Sequence, residues 1–193
     1  MGQPARPRAT YEDVLRAPEQ VVAEIIDGEL ILSPRPGGPH SAAASILGGL
    51  LIGPFGLGRG GPGGWILLDE PELHLGDDIL VPDVAGWRRE RLPAVPDAPY
   101  FTLAPDWICE VLSERTARTD RADKLTIYAR QSVAHAWLVD PRQRTLEVFR
   151  QERGRWVLLG VHRDEAVVRV EPFDAIELEL GLLWANVARS SDP

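Results

Sequence analysis

Short apolar runs bounded by turn-forming clusters dominate the chain, and only two longer stretches carry apolar residues at helical spacing. Thr10-Tyr11-Glu12-Asp13 reads as an N-cap with acidic first-turn residues, predicting a short helix through Leu15 or Arg16, with a second short helical stretch after Pro18. Two β-prone runs meet at Asp27-Gly28 within Glu24 to Leu32, the pairing that a type I′ hairpin prefers. Ser33 to Pro39 reads as a proline and glycine loop, and Ser41 to Ile52 as a buried helix. Strands are predicted at Trp65–Leu68, Ile79–Trp87, Asp106–Leu112, Ala134–Asp140, Thr145–Arg150, Arg155–Val161 and near Ile176–Leu180. One further helix, about Arg118 to Gln131, follows polar Ser113 and Thr116 and puts Ile127 and Ala134 near the core. Asp140 to Arg144 is a turn.

This order predicts an α/β (α+β) domain, a mixed central β-sheet flanked by helices. Residues 1–9 read as a disordered N-terminal tail, 10–187 as a single domain and 188–193 as a C-terminal tail. Gly53 to Gly64 contains a formal GxGxxG, but it follows a helix and runs into Pro62 and a strand. The dinucleotide fingerprint needs the reverse context, so this segment is a loop.

Composition narrows the function. The 193 residues are 44% hydrophobic and 26% charged, as in an ordinary globular domain. Cys109 is alone, so neither an intramolecular disulfide nor a cysteine zinc site is available. No apolar run approaches a membrane span, and MGQPARPRATYED lacks a signal-peptide core, so a cytoplasmic location is the expectation. The net charge of -8 disfavours tight non-specific DNA binding, although clustered carboxylates of a metal site would contribute to it.

Lys124 is the only lysine among 21 basic residues, the rest being arginine. Lysine is a compact ammonium with a shiftable pKa, and arginine a planar fork, so a solitary lysine marks either chance or a task the fork cannot do. Its neighbours bear on the choice. Asp83 follows Pro82 inside the apolar run Ile79 to Val84, and Glu110 lies inside Trp107 to Leu112. A carboxylate in such a strand points to water at an edge, or is paired, or binds a metal. Two on consecutive strands repel each other, and a hard divalent cation such as Mg²⁺ relieves that repulsion. Asp120, Lys124 and Tyr128 are spaced i, i+4, i+8 on one helical face. The plain alternative is a solvated Asp–Lys pair worth about 0.3 kcal/mol.

With Pro82-Asp83, Glu110 and Lys124 in this order, the chain resembles the PD-(D/E)xK nuclease superfamily, and within it the Uma2 family (DUF820) of restriction-endonuclease-like proteins. The resemblance runs from roughly Tyr11 to Leu180. It is carried by Glu24 to Leu30, Ser33-Pro34 with His40, Val81 to Val84, Ala104 to Ser113, Asp120 with Lys124 and Tyr128, and Ala136 to Pro141. In the superfamily the lysine stands two residues after the carboxylate, on the same strand face. Leu112 occupies that position here, so Lys124 must come from the next helix, as in other members that this chain resembles.

The resemblance implies a restriction-endonuclease-like core and a metal-dependent phosphodiesterase, most simply a DNA endonuclease. Asp83 and Glu110 would be the metal ligands, with the Val111 backbone carbonyl as a third, for Mg²⁺ or Mn²⁺. Lys124 would orient the attacking water or the phosphate, assisted by Tyr128 or Asp120. Glu24 is either an extra carboxylate or a solvent-facing hairpin residue. His40 either touches a phosphate and shuttles a proton, or caps a helix. His74, His135 and His162 show no pattern, and Ser113 and Thr116 fit a loop and N-cap better than a nucleophile. Arg88, Arg89 and Arg91 would grip phosphates or simply form a solvated turn. Cleavage of two strands implies a homodimer, for which exposed tryptophans would be candidates. The rival is a non-catalytic nucleic-acid- or protein-binding module on the same fold, and RNA or a smaller phosphodiester is a third substrate option.

Overall fold

The computed structural model describes residues 7–188. Helix α1 (Tyr11–Leu15) opens the chain beneath a Thr10 cap. A turn, not a second helix, then leads into β1 (Val21–Ile26). Val21 and Val22 pair with Pro34 and Ser33 of β2 (Glu29–Pro34), since β-branched residues fit a ladder better than a helix. Asp27 and Gly28 both have positive φ, 51° and 88°, which gives the hairpin turn that the sequence predicts. Helix α2 (Gly38–Leu51) starts three residues early, because Pro39 is tolerated in a first turn, and a π-helical turn over Ile52–Gly56 extends it into the expected loop.

The strand predicted at Ile79–Trp87 is two strands. After β3 (Trp65–Asp69) and the unanticipated β4 (Leu73–Leu75), the chain forms β5 (Asp78–Leu80), leaves the ladder at Val81-Pro82-Asp83, and resumes as β6 (Val84–Arg88). Pro82 has no N–H for a ladder bond, so the run cannot continue through it. The consequence is large, because β5 and β6 belong to different sheets. There follow β7 (Trp107–Val111), α3 (Ala117–Thr119), a π-helical turn at Asp120–Lys124 and α4 (Leu125–Arg130). The chain ends through β8 (His135–Asp140), β9 (Thr145–Glu152), β10 (Arg155–Arg163), a β11–β12 ribbon (Val167–Val168, Leu178–Glu179) and a 3₁₀ turn at Leu180–Trp184.

The central sheet has the order β10-β9-β8-β7-β6-β3. It is mixed, because β7 and β8 run parallel while their neighbours run antiparallel. A smaller antiparallel sheet, β2-β1-β5-β4, lies beside it. Alternation along β7 sorts its residues between two cores. Trp107, Cys109 and Val111 join Leu47, Trp65 and Trp137 around α2. Ile108 joins Leu80, Ile127, Tyr128 and Val133 near α4, where Val133 takes the buried place expected of Ala134. Glu110 shares the Ile108 face, and this is what aims it at the helix carrying Lys124.

Five of the six tryptophans are buried, and Trp156 is half-buried with Nε1 donating to the Leu125 carbonyl at 2.7 Å. No tryptophan is therefore exposed for an interface among the described residues. Arg88, Arg89 and Arg91 belong to a structural turn. Arg91 pairs with Asp106 at 2.9 Å and Arg88 lies 4.6 Å over the Trp65 ring. The expected tails fall largely on residues 1–6 and 189–193, outside the described residues, whereas Ala9 N donates to the Gly28 carbonyl at 2.8 Å.

Candidate active site

Four segments meet where the two sheets and the α3–α4 helical segment converge. From β7 comes Glu110, from β1 Glu24, from the π-helical turn Asp120 and Lys124, and from the Pro82 crossing Asp83. Lys124 Nζ stands 3.0 Å from Glu24 Oε1, 3.1 Å from Glu110 Oε1 and 3.5 Å from Asp120 Oδ1. All four residues are buried, with Glu110 only 2% exposed. The solvated Asp–Lys pair on a helix surface is thereby excluded, as is a solvent-facing Glu24. The widened turn between α3 and α4 carries both Asp120 and Lys124 inward, a use of π-turns common at functional sites.

Backbone and hydroxyl donors hold the carboxylates. Val81 N donates to Glu24 Oε1 at 2.8 Å, and Val111 N donates to Asp83 Oδ2 at 2.6 Å. The Pro82 break thus tethers Asp83 to the strand bearing Glu110. Tyr128 OH, buried one turn beyond Lys124, donates to Glu110 Oε1 at 2.8 Å. His40, in the first turn of α2, places Nε2 3.1 Å from Asp83 Oδ1, while its buried Nδ1 has no partner among the described residues. Ser113 Oγ accepts from Thr116 N at 3.2 Å, a local turn bond at the start of α3 rather than a nucleophile arrangement.

The electrostatics follow from this packing. Burial pushes the Glu110 carboxyl well above its usual range against the pull of Lys124, and Asp120, Asp83 and Glu24 push it further. Asp120 is raised for the same reasons, burial first. Burial acts to lower Lys124, but Glu110, Glu24, Tyr128 and Asp120 outweigh it and hold the ammonium well above its ordinary value. Three carboxyl groups surround Lys124 and a fourth, Asp83, lies at His40, so carboxyl groups outnumber the single ammonium.

That excess, and the hard oxygen donors that make it, fit a divalent cation of the Mg²⁺ type. Such an ion uses one or two carboxylates plus waters and substrate oxygens rather than a closed protein cage. Among the described residues no group of three or more His, Cys, Asp or Glu side chains is arranged to hold a metal ion.

The cluster floors a cavity of about 640 Å³. The candidate residues Glu24, His40, Asp83, Glu110, Asp120 and Lys124 all line it, and so does a mouth that the sequence did not single out. Arg35, Arg115 and Arg142 line it from three separate loops, with Glu70 and Glu114 between them. Arg35 pairs with Glu70 at 3.5 Å and Arg142 with Glu114. These arginines form no run in the sequence, so no local pattern singles them out, whereas the conspicuous Arg88–Arg91 run lines no part of this cavity.

A mixed sheet flanked by helices, with a Pro-Asp, a strand Glu and a helix Lys converging, defines a restriction-endonuclease-like protein. The family model of Uma2, described as "Putative restriction endonuclease", matches residues 9–182, and the chain belongs to that family. A crystal structure of a "putative nuclease belonging to DUF820" from Anabaena variabilis is similar over 92% of this chain and 98% of that one, with 26% identity and a TM-score of 0.74. No curated protein matches the sequence. Among the described residues no helix is long and apolar enough to cross a membrane.

Proposed function

We propose that this protein is a divalent-cation-dependent nuclease that hydrolyses phosphodiester bonds in DNA. The observation that carries the reading is the convergence of Glu24, Asp83, Glu110, Asp120 and Lys124 on the floor of one cavity. Asp83 and Glu110 would hold Mg²⁺ or Mn²⁺, with the Val111 carbonyl as a third oxygen, and the ion would polarise a phosphoryl oxygen and lower the pKa of a water.

The chain's own residues supply position and charge. Glu24 and Asp120 hold the Lys124 ammonium over Glu110. There it is placed to orient the attacking water or to stabilise charge growing on the phosphate. Tyr128 fixes the Glu110 carboxylate through one oxygen, which leaves the other free. His40 backs Asp83 and, in this reading, would touch a phosphate or shuttle a proton. A homodimer belongs to this reading only where both strands of a duplex are cut.

The test is cleavage of supercoiled and single-stranded circular DNA with Mg²⁺ or Mn²⁺, comparing wild type with Asp83→Ala and Lys124→Arg. Metal-dependent cleavage of either circle, lost in both variants, supports the assignment. Cleavage that survives Asp83→Ala overturns it.

One observation favours a second reading, a non-catalytic binding module. The acidic cluster is internally paired through Lys124, and the net charge is -8. Absence of both cleavage and Mn²⁺ binding in the wild type would select that module.

A further inference from the structure

We propose that the cavity takes an unpaired DNA strand and excludes an intact duplex. The inference rests on the nuclease reading and names the substrate class of that same site.

The groups assigned to the reaction are recessed. Glu110 is 2% exposed and Lys124 4%, at the floor of the cavity. A stacked duplex is stiff over many base pairs, so its backbone enters such a recess only by kinking or extruding a nucleotide. An unpaired strand has no such requirement.

The wall points the same way. On one side the lining is aliphatic, with Val22 of β1 and Ile31 of β2 on the hairpin face that carries Glu24, and Pro36 beyond them. Val22 and Ile31 are both partly exposed, apolar side chains beside a charged floor. Apolar side chains beside a nucleic-acid site suit the face of a base, and that face is free only when the base is unpaired and unstacked. Aliphatic contact carries no hydrogen-bond code, so recognition through this wall is tolerant of sequence.

Charge sets the length of strand engaged. Phosphates have Arg35, Arg115 and Arg142 at the mouth, and Arg115 has no carboxylate partner among the described residues. With Arg35 and Arg142 each paired to a carboxylate, this mouth serves a few nucleotides at most. Tracking a duplex calls for a longer basic surface, and the chain as a whole is acidic at -8. The cavity volume of about 640 Å³ lies in the range that encloses a small ligand, which matches one or two nucleotides and not a double helix.

The experiment uses the full chain with Mn²⁺ and end-labelled oligonucleotides of one sequence, offered as a single strand and as a blunt duplex, under single-turnover conditions. The single strand is expected to be cut at least about tenfold faster. Val22→Glu is expected to slow that cleavage while leaving the Mn²⁺-induced rise in melting temperature as in wild type. Equal or faster cleavage of the duplex overturns the inference and leaves the nuclease reading standing. Cleavage of neither overturns both. Unchanged single-strand cleavage in the folded, Mn²⁺-responsive Val22→Glu protein overturns the role of the wall and with it the inference.

Discussion

Tyr128 and Glu110 meet through one hydrogen bond of 2.8 Å, from a phenol on α4 to a carboxylate on β7, both buried. The phenol removes one direction of freedom from a group that Lys124 approaches on the same oxygen, at 3.1 Å. Burial and the adjacent Glu110 charge raise the Tyr128 pKa well above its ordinary value, so the phenol keeps its proton and remains a donor. The position of Glu110 thus depends on a helix residue with no titration of its own near neutrality.

Tyr128→Phe therefore removes a donor without opening a large cavity. Loss of a hydrogen bond to a charged group costs about 1.5–3 kcal/mol. The Glu110 carboxyl, less well held, would bind a proton more readily and a cation less readily. Metal titrations of DNA cleavage should show a higher half-saturating Mn²⁺ concentration, partly recovered at higher pH. An unchanged metal requirement would assign Tyr128 to packing alone.

Glu110→Gln should raise the stability of the metal-free protein while abolishing cleavage. Burial holds the Glu110 carboxyl above its ordinary value of 4.5, despite Lys124. A group raised in this way contributes stability that is complete below its unfolded pKa and is lost as pH rises through the folded one. The wild type should accordingly lose melting temperature as pH rises above the ordinary carboxyl value of 4.5, and Glu110→Gln should lose less, ending a few degrees higher. A variant that melts below wild type across the range would mean that the Glu110–Lys124 pair is net stabilising.

His135 offers a pH effect of opposite sign, away from the site. Burial lowers its pKa below 6.5 in spite of Glu171, whose Oε2 lies 3.3 Å from Nε2. A histidine depressed in the folded state favours the unfolded chain when protonated, so its contribution is present above 6.5 and is lost as pH falls from there. Replacement by glutamine should flatten the acid side of the stability profile. Parallel melting curves for the two proteins between about pH 7.5 and 5 would refute this.

Gly86 in β6 is a packing requirement. A Cβ there would lie 2.8 Å from Leu67 Cδ2 and 3.2 Å from the rings of both Trp65 and Trp107. Leu67 is able to turn aside, but two buried indoles are not. Overpacking of this kind costs about 1–3 kcal/mol, so Gly86→Ala should lower the melting temperature by roughly 2–4 °C for each kcal/mol. Equal melting of variant and wild type would show that the β3–β6–β7 layer yields.

The amino-acid sequence alone determined what local chemistry can dictate. Asp27-Gly28 must turn, the apolar runs at 107–111 and 135–140 must be strands, and the family resemblance grouped Asp83, Glu110 and Lys124 as one candidate site while leaving Glu24 open. Tertiary structure decided the remainder. Pro82 offers no N–H to a ladder, and tertiary pairing assigns the residues on its two sides to different sheets. That crossing brings Asp83 against Val111 N and His40, and the second sheet buries Glu24 against Lys124. The Arg35, Arg115 and Arg142 mouth likewise exists only because three loops are folded together. Periodicity records which face of an element is apolar. Which faces then meet depends on pairing between segments distant in the chain, and for this protein that pairing makes the site.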